Sequence, residues 1–176
     1  MRPTRLTKGA AGFTAWCPMD YGQNAFGVSL GAIVTSGASL TYKVQHSFDS
    51  PYDLVPFYAT RTTTTVTATI PDHQLTAGDM VNVVGAGAPM DGSYAVASVS
   101  DANTITYTVA NSGVTLSKPG ANVNLMHVFD NSVITGKTAN ADSHYAFPVT
   151  AIRVNVTSYT SGKVTLTIIQ SSPGGH

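Results

Sequence analysis

The sequence contains few charged residues. Aspartate, glutamate, lysine and arginine make up 10% of its 176 residues, and nine basic residues balance nine acidic ones, so the formal net charge is zero. Soluble domains usually carry about 25% of such residues. Binding to nucleic acid needs clustered lysine and arginine to neutralise phosphates. The composition therefore argues against a specific nucleic-acid partner, and it leaves little electrostatic repulsion between copies of the chain.

Cysteine is almost absent as well, because Cys17 is the only one. A single cysteine excludes a disulfide within the chain and a zinc site built from several thiolates. Cysteine is among the most buried residue types. We therefore expect Cys17 to be a small apolar core residue and not a nucleophile.

Long apolar runs are also missing. The first twelve residues, MRPTRLTKGAAG, lack the apolar stretch of a secretory signal. No window reaches the roughly 18 apolar residues of a membrane span. We therefore expect no membrane partner, and a protein that is made and folded in a cytoplasm.

What the sequence does contain is alternation of apolar and polar residues. In SLTYKVQH, residues 39–46, the side chains of Leu40, Tyr42 and Val44 would point one way and their neighbours the other, which predicts a half-buried strand. No stretch has the 3.6-residue period of an amphipathic helix. The same alternation occurs at 26–34, 64–70, 79–84, 93–99, 104–109, 123–128, 152–157 and 163–169.

Turn-forming residues separate these stretches. They stand at 36–37, 91–92, 101–103, 111–113, 119–120 and 161–162. Many short strands with turns about every ten residues are typical of β-sandwiches and barrels. The sequence therefore predicts an all-β fold, an antiparallel β-sandwich of jelly-roll type with a small inserted β-hairpin or barrel-like module.

A change in composition locates that insertion. Residues 60–122 are rich in threonine, valine, alanine and glycine, whereas most of the aromatic residues lie outside them. Larger side chains bury more area each, so the flanks are expected to share the main core. The predicted divisions are an N-terminal arm 1–12, a sandwich of 13–59 with 123–170, the inserted module 60–122, and a flexible tail 171–176.

The segment GAGAPMDG, residues 85–92, has the letters of a phosphate-binding loop but not its spacing. Gly85 and Gly87 would begin a G-x-G-x-x-G motif, but Met90 stands where the third glycine is required. No helix is predicted after it to hold a phosphate. The segment is expected to be a hairpin connection with a turn at Asp91-Gly92, and no cofactor is predicted.

Residues that could act as acids or bases precede that segment. Asp72 or Asp79 would be close enough in sequence to orient His73 as a base, but the chain has no G-x-S-x-G nucleophile elbow. The acids are expected to serve turns, and His73 to pack on the module or to be half exposed. The sequence therefore predicts no catalytic residues and a protein that is not an enzyme.

The five histidines lack the paired spacings of metal sites, and no metal is predicted. A site assembled in space, for instance from His46 and His127 on paired strands, stays open. A sugar-binding platform is a further alternative, although core and interface packing explain its aromatic residues better. Those residues are Trp16, Tyr21, Tyr52 and Tyr58.

The stretch HQLTAGDMVNVVGAGAPMDGSYAVASVSDANTITYTV resembles a small β-module that recurs in virion proteins of tailed bacteriophages. The pattern begins His-x-Leu-x-x-Gly-Asp-x-Val, continues with Gly-x-Tyr-x-Val and closes with Asp-Ala-Asn-Thr-x-Thr-Tyr. In this chain those elements are His73–Val81, Gly92–Val96 and Asp101–Tyr107. Asp91 replaces the asparagine that often precedes the glycine. The resemblance covers about a third of the sequence.

The flanking segments, among them MDYGQNAFGVSLGAIV and ITGKTANADSHYAFPVTAIRVNVT, are similar in style and order to small structural proteins of phage heads and tails. This resemblance implies a noncatalytic virion component, above all a capsid decoration (cement) protein that clamps neighbouring capsid subunits and stabilises the head. A head-tail or tail component, or a virion module that binds a host-surface glycan, is the alternative. The implied partners are the major capsid protein or other virion proteins, within a homo-oligomer that is a trimer or dimer.

Two places are predicted to contact those partners. The N-terminal arm is a candidate tether to a neighbouring subunit, with terminal disorder as the alternative. The turn of the inserted module is the other candidate. The predicted contact residues are Arg2, Arg5, Lys8, Met90, Asp91 and Gly92.

Overall fold

The structure is a computed structural model that describes residues 3–22, 26–110 and 116–171, with the backbone alone for 116–120. All regular structure in these residues is β-strand, which confirms the predicted all-β class. No helix in the described part of the chain is long and apolar enough to cross a membrane. The chain divides into two compact units: unit 1 contains Met1–Phe48 and Phe129–His176, and unit 2 contains Asp49–Val128.

The described residues form fifteen strands. The first five, in unit 1, are β1 (Thr4–Lys8), β2 (Gly12–Phe13), β3 (Cys17–Pro18), β4 (Val28–Val34) and β5 (Ser39–Ser47). The next six, in unit 2, are β6 (Val55–Thr62), β7 (Thr65–Thr69), β8 (Met80–Val84), β9 (Gly92–Asp101), β10 (Thr104–Thr108) and β11 (Leu116–Met126). The last four, again in unit 1, are β12 (Phe129–Asp130), β13 (Ala141–Tyr145), β14 (Ala151–Ser161) and β15 (Val164–Gln170).

Unit 1 consists of two antiparallel sheets around one core. The first sheet has the strand order β1-β15-β4-β13, and the second has β12-β5-β14-β2, with β3 also paired to β14. Alternate residues of the central strands point into the core, as the period of two predicts. Cys17 lies in this core, and burial raises the pKa of its thiol. The core side chains of the central strands include Val28, Leu30, Tyr42, Val44, Ile152, Val154, Leu166 and Ile168.

Unit 2 is a closed six-stranded barrel with the strand order β10-β7-β6-β11-β8-β9. Closure leaves no unpaired sheet edge, which removes a common site of unwanted strand pairing. The long strand β11 pairs with both β6 and β8, and its register shifts between Pro119 and Ala121. The predicted turn at Pro119-Gly120 is therefore wrong, because the extra residue is accommodated as an irregularity within the strand.

The inserted unit is longer than the composition predicts. Phe57 and Ala59, which lie before residue 60, are buried in the barrel core, so β6 belongs to unit 2. At the N-terminus, Thr4–Lys8 is a strand paired with β15 and not a disordered arm. Arg2, the predicted turn at 111–113 and residues 172–176 of the predicted tail lie outside the described residues.

Two tight turns of unit 1 meet each other. Gly37, between β4 and β5, has a φ of 72°, and Gly162, between β14 and β15, has a φ of 87°. A Cβ atom added at Gly162 would lie 2.3 Å from the Cβ atom of Ala38, whereas one added at Gly37 would meet nothing within 4 Å. Gly162 is thus required by its backbone angle and also by close approach, and Gly37 by its backbone angle alone.

We expect Gly162→Ala to lower the free energy of unfolding by about 2–5 kcal/mol, because it adds a steric clash to the left-handed backbone cost. The matched control Gly37→Ala should cost only about 1–2 kcal/mol. Urea unfolding followed by the fluorescence of Trp16, the single tryptophan, measures both values. Equal losses for the two variants would contradict the role assigned to the contact with Ala38.

Candidate functional site: an aromatic patch on unit 1

His73, for which the sequence predicts no catalytic role, is a structural residue of the barrel. Its side chain is buried, with its Nδ1 atom accepting a hydrogen bond from the Leu75 N–H at 2.9 Å. Its Nε2 atom lies 3.2 Å from the carbonyl oxygen of Asp101, to which the Nε2–H donates. Both ring nitrogens are therefore bound to the backbone, and neither is placed to accept a proton from a substrate.

The nearby Asp79 holds a turn with its carboxylate. The Oδ2 atom of Asp79 accepts from the Thr76 N–H at 2.7 Å, and its Oδ1 atom accepts from the Val128 N–H at 2.7 Å. At the other turn, the Asp72 N–H donates to the Oδ1 atom of Asn103 at 2.8 Å. Asp79 thus has the turn-holding role that the sequence predicts, whereas Asp72 is bound at this turn through its backbone N–H.

The GAGAPMDG segment is a compact turn held by Asp91 within it and by Tyr94 just after it. The Oδ1 atom of Asp91 accepts from the Ala86 N–H at 2.7 Å, and the Tyr94 hydroxyl lies 2.6 Å from the carbonyl oxygen of Pro89. Met90 is fully buried in the barrel core. The prediction of Met90 as a contact is therefore wrong, because its side chain fills the core, whereas Asp91 is exposed and Gly92 half-buried.

The basic residues of the predicted arm lie on β1. Arg5 is exposed and Lys8 is half-buried. Leu6, between them, packs against the core of unit 1. The alternation of the strand therefore directs Arg5 to the outer face of the first sheet, away from the core.

The most distinctive surface of unit 1 is a cluster of phenylalanines, here called the aromatic patch: Phe48, Phe129 and Phe147. Each is about half exposed, at 50%, 44% and 47% respectively. The ring centroids of Phe48 and Phe129 are 5.3 Å apart, and those of Phe48 and Phe147 are 6.1 Å apart. Contiguous exposed aromatic groups are typical of binding surfaces.

Two buried side chains support the aromatic patch from below. The ring of His46 stacks on Phe129 at 5.7 Å and contacts Phe48 edge-on at 5.4 Å. The Tyr145 hydroxyl lies within hydrogen-bonding distance of the Nδ1 atom of His46, at 3.1 Å. Burial lowers the pKa of His46, and the charge of Asp130 raises it by less.

A cavity of about 480 Å³ lies beside the aromatic patch. Its lining includes Asp142–Tyr145 of β13 and the segment 130–133 that begins in β12. His46 and Phe147 complete the lining, so the cavity adjoins the patch. Carboxylates of Asp130 and Asp142 line the cavity, and that of Asp130 forms an ion pair with Lys43 at 2.9 Å.

A polar network covers the outer face of the second sheet. The Arg153 guanidinium lies 4.6 Å from the ring centroid of Phe13 and 4.4 Å from that of Trp16. Its Nε–H donates to Gln45 at 2.9 Å, and the Gln45 amide donates to Asp130 at 2.8 Å. Burial lowers the pKa of Arg153 to about 10, which leaves it charged at neutral pH. One face of Trp16 is thus occupied by Arg153 and is not open to a sugar ring.

Unit 2 has a hydrogen-bonded histidine of its own. The Nδ1 atom of His127 lies 2.9 Å from the Oδ2 atom of Asp49, and its Nε2 atom lies 3.1 Å from the carbonyl oxygen of Gln74. Burial lowers the pKa of His127, but the hydrogen bonds to Asp49 and Gln74, with the charges of Asp49 and Asp79, outweigh it and raise the pKa overall.

A metal site formed by His46 and His127 would require the two residues to lie on paired strands, and they do not. His46 is opposite Phe129 on β12 and Ile152 on β14, and His127 is bound to Asp49 and Gln74. Within residues 3–22, 26–110 and 116–171, no group of three or more histidine, cysteine or acidic side chains is arranged to hold a metal ion.

Sequence reasoning missed the aromatic patch. Phe48 continues the inward alternation of Tyr42, Val44 and His46 beyond the end of β5, which is a signal the sequence does carry.

The chain matches no known protein family and no curated protein sequence.

We expect Met90→Ala to lower the free energy of unfolding of the barrel by about 2–5 kcal/mol, because it empties a filled core site. Met90→Leu conserves the volume and should cost less than about 1.5 kcal/mol. Urea unfolding followed by tyrosine circular dichroism measures the difference. An unchanged free energy of unfolding for Met90→Ala would contradict the core role of Met90 and restore it as a candidate contact residue.

The two histidines should titrate on opposite sides of the usual value of about 6.5. His127 has the raised pKa, so its stabilisation of unit 2 is complete below about pH 6.5 and disappears as the pH rises through the folded-state pKa. His46 has the lowered pKa, so unit 1 loses stability as the pH falls below about 6.5. Titration of the imidazole signals by NMR, with His46→Gln and His127→Gln for assignment, measures both. Shifts of the same sign would contradict this account.

Proposed function

We propose that the chain is a noncatalytic structural component of a tailed-phage particle, a capsid decoration protein that clamps neighbouring capsid subunits and stabilises the head. The aromatic patch is the observation that carries this proposal. The free energy falls when a partner covers half-exposed phenylalanines, because apolar surface is removed from water. A few such residues usually supply most of an interface's affinity.

The distribution of polar groups supports a noncatalytic role. His73 and Asp79 have the residue types of an acid-base pair, yet both are engaged by backbone groups that hold loops in place. The resemblance of residues 73–109 to a module of phage virion proteins supports the virion context. Together these features favour a protein that acts by its surface.

Repetition by symmetry would let such a surface act strongly. A decoration protein occupies many equivalent positions on a shell, so contacts of modest affinity are repeated and combine. The low charge of the chain favours close association, because little repulsion opposes it. We therefore expect the aromatic patch to lie at a contact with another virion protein.

Particles of the phage that encodes this chain test the proposal. We expect mass spectrometry of purified particles to find the chain in a fixed ratio to the major capsid protein, and particles lacking it to release DNA at a lower temperature. Added wild-type protein should restore the release temperature. Phe129→Ser and Phe147→Ser should bind these particles about tenfold more weakly or worse, because they remove exposed anchors.

Ile33→Ser is the matched control, since Ile33 is 62% exposed on β4 but lies outside the aromatic patch. It should bind as the wild type does, and thermal unfolding should show that all three variants remain folded. Absence of the chain from purified particles would overturn the proposed function. Full binding by both phenylalanine variants would overturn the role of the patch.

A further inference from the structure

The first sheet of unit 1 has two open edges. Its order is β1-β15-β4-β13, and no other strand of the described chain pairs with the outer side of β1 or of β13. An edge strand presents backbone N–H and C=O groups that can pair with a further strand. Unit 1 therefore offers two places for strand addition, one at each side of the same sheet.

A cavity adjoins the edge at β13. It has a volume of about 480 Å³, and its lining includes Asp142–Tyr145 and the segment 130–133. The edge therefore borders open space beside the residues that an added strand would pair with. The aromatic patch adjoins this cavity at Phe147.

The two edges carry opposite charges in matching positions. Cross-strand pairing places Arg5 of β1 opposite Thr167, Thr167 opposite Gly31, and Gly31 opposite Asp142 of β13. Arg5 and Asp142 thus end one row of the sheet, and both are exposed. Neither forms an ion pair with any residue that the structure describes.

The neighbouring row ends in a matching pair of residues on the core side of the sheet. It runs from Leu6 through Leu166 and Ala32 to Ala141, and both of its end residues pack against the core of unit 1. Four antiparallel strands make β1 and β13 run in opposite directions. A second copy placed without a register shift would therefore present its β1 antiparallel to β13, with polar and apolar faces aligned.

We infer that copies of this chain associate head to tail, with β1 of one copy added to the β13 edge of the next and Arg5 opposite Asp142. The inference names the partner of the proposed virion component as a second copy, and to that extent it rests on the proposed function. The interface is heterologous, so repetition gives a ring when the rotation closes and a filament when it does not.

Charge favours this pairing over the two symmetric ones. Two β1 strands would bring the cations Arg5 and Lys8 of both copies together without an acid, and two β13 strands would bring two Asp142 carboxylates to one edge with no lysine or arginine. Like charges across an interface are repulsive, and complementary charges set both partner and register.

Charge reversal tests the inference in solution. We expect light scattering after gel filtration to show a mass that rises with concentration and falls with added salt. Arg5→Asp and Asp142→Arg should each weaken association about tenfold or more, and the double variant should restore it. Lys163→Asp, a charge reversal at an exposed residue of the same unit outside both edges, should leave the mass unchanged. A wild type that stays monomeric, or a double variant no better than the single ones, would overturn the inference.

Disulfide cross-linking tests the pairing directly. Thr4 and Ser143 end the row that passes through Ile168 and Leu30, so they should face each other across the interface. Thr4 hydrogen-bonds the Cys17 side chain, so the test uses chains that carry Cys17→Ala. In that background a mixture of Thr4→Cys and Ser143→Cys proteins should form the mixed disulfide, whereas Cys17→Ala alone should form none. Disulfides only between identical variants would establish a symmetric pairing and overturn the head-to-tail one.

The two proposals fail in different ways. If the chain is found in purified particles but forms no mixed disulfide, the strand pairing is overturned and the proposed function stands. A mixed disulfide from a chain absent from particles would do the reverse.

Discussion

The pairing of β5 with β14 is the contact on which the rest of unit 1 depends. It joins residues 39–47 to residues 151–161 across the whole inserted barrel. It sets His46 opposite Ile152, and therefore fixes the support of the aromatic patch. It also sets Gln45 opposite Arg153, which places the guanidinium under Trp16. One register thus determines both the apolar and the polar features of this unit.

Much of the fold could be predicted from alternation. Each of the nine alternating stretches overlaps a strand of the structure, because alternating apolar and polar residues suit a strand with one buried face. The strands that were not predicted lack that pattern. β6 has Arg61 at an inward position beside Phe57 and Ala59, and β1 and β13 are short polar edge strands. These strands form because neighbouring strands pair with them, and not because of the propensities of their own residues.

The candidate site could be predicted only in part. The spacing tests dismissed a phosphate loop at residues 85–92, and the structure gives His73 backbone partners on both ring nitrogens. The aromatic patch could not be found this way, because Phe48, Phe129 and Phe147 are far apart in sequence and meet only when the sheets pair. Met90 was misjudged because a turn signal says nothing of which side chain points inward.

The position of the barrel within the chain has a consequence for synthesis. All six barrel strands lie between residues 49 and 128, so unit 2 is complete in sequence while β14 and β15 are still to be made. At about 5–20 residues per second, the remaining stretch to Gln170 takes roughly 2–8 s. During that interval Leu40, Tyr42 and Val44 of β5 lack both β14, which pairs with β5, and β15, which belongs to the other sheet around the same core. The order of translation thus exposes the half of unit 1 made first, in a chain with little charge to keep such surfaces apart.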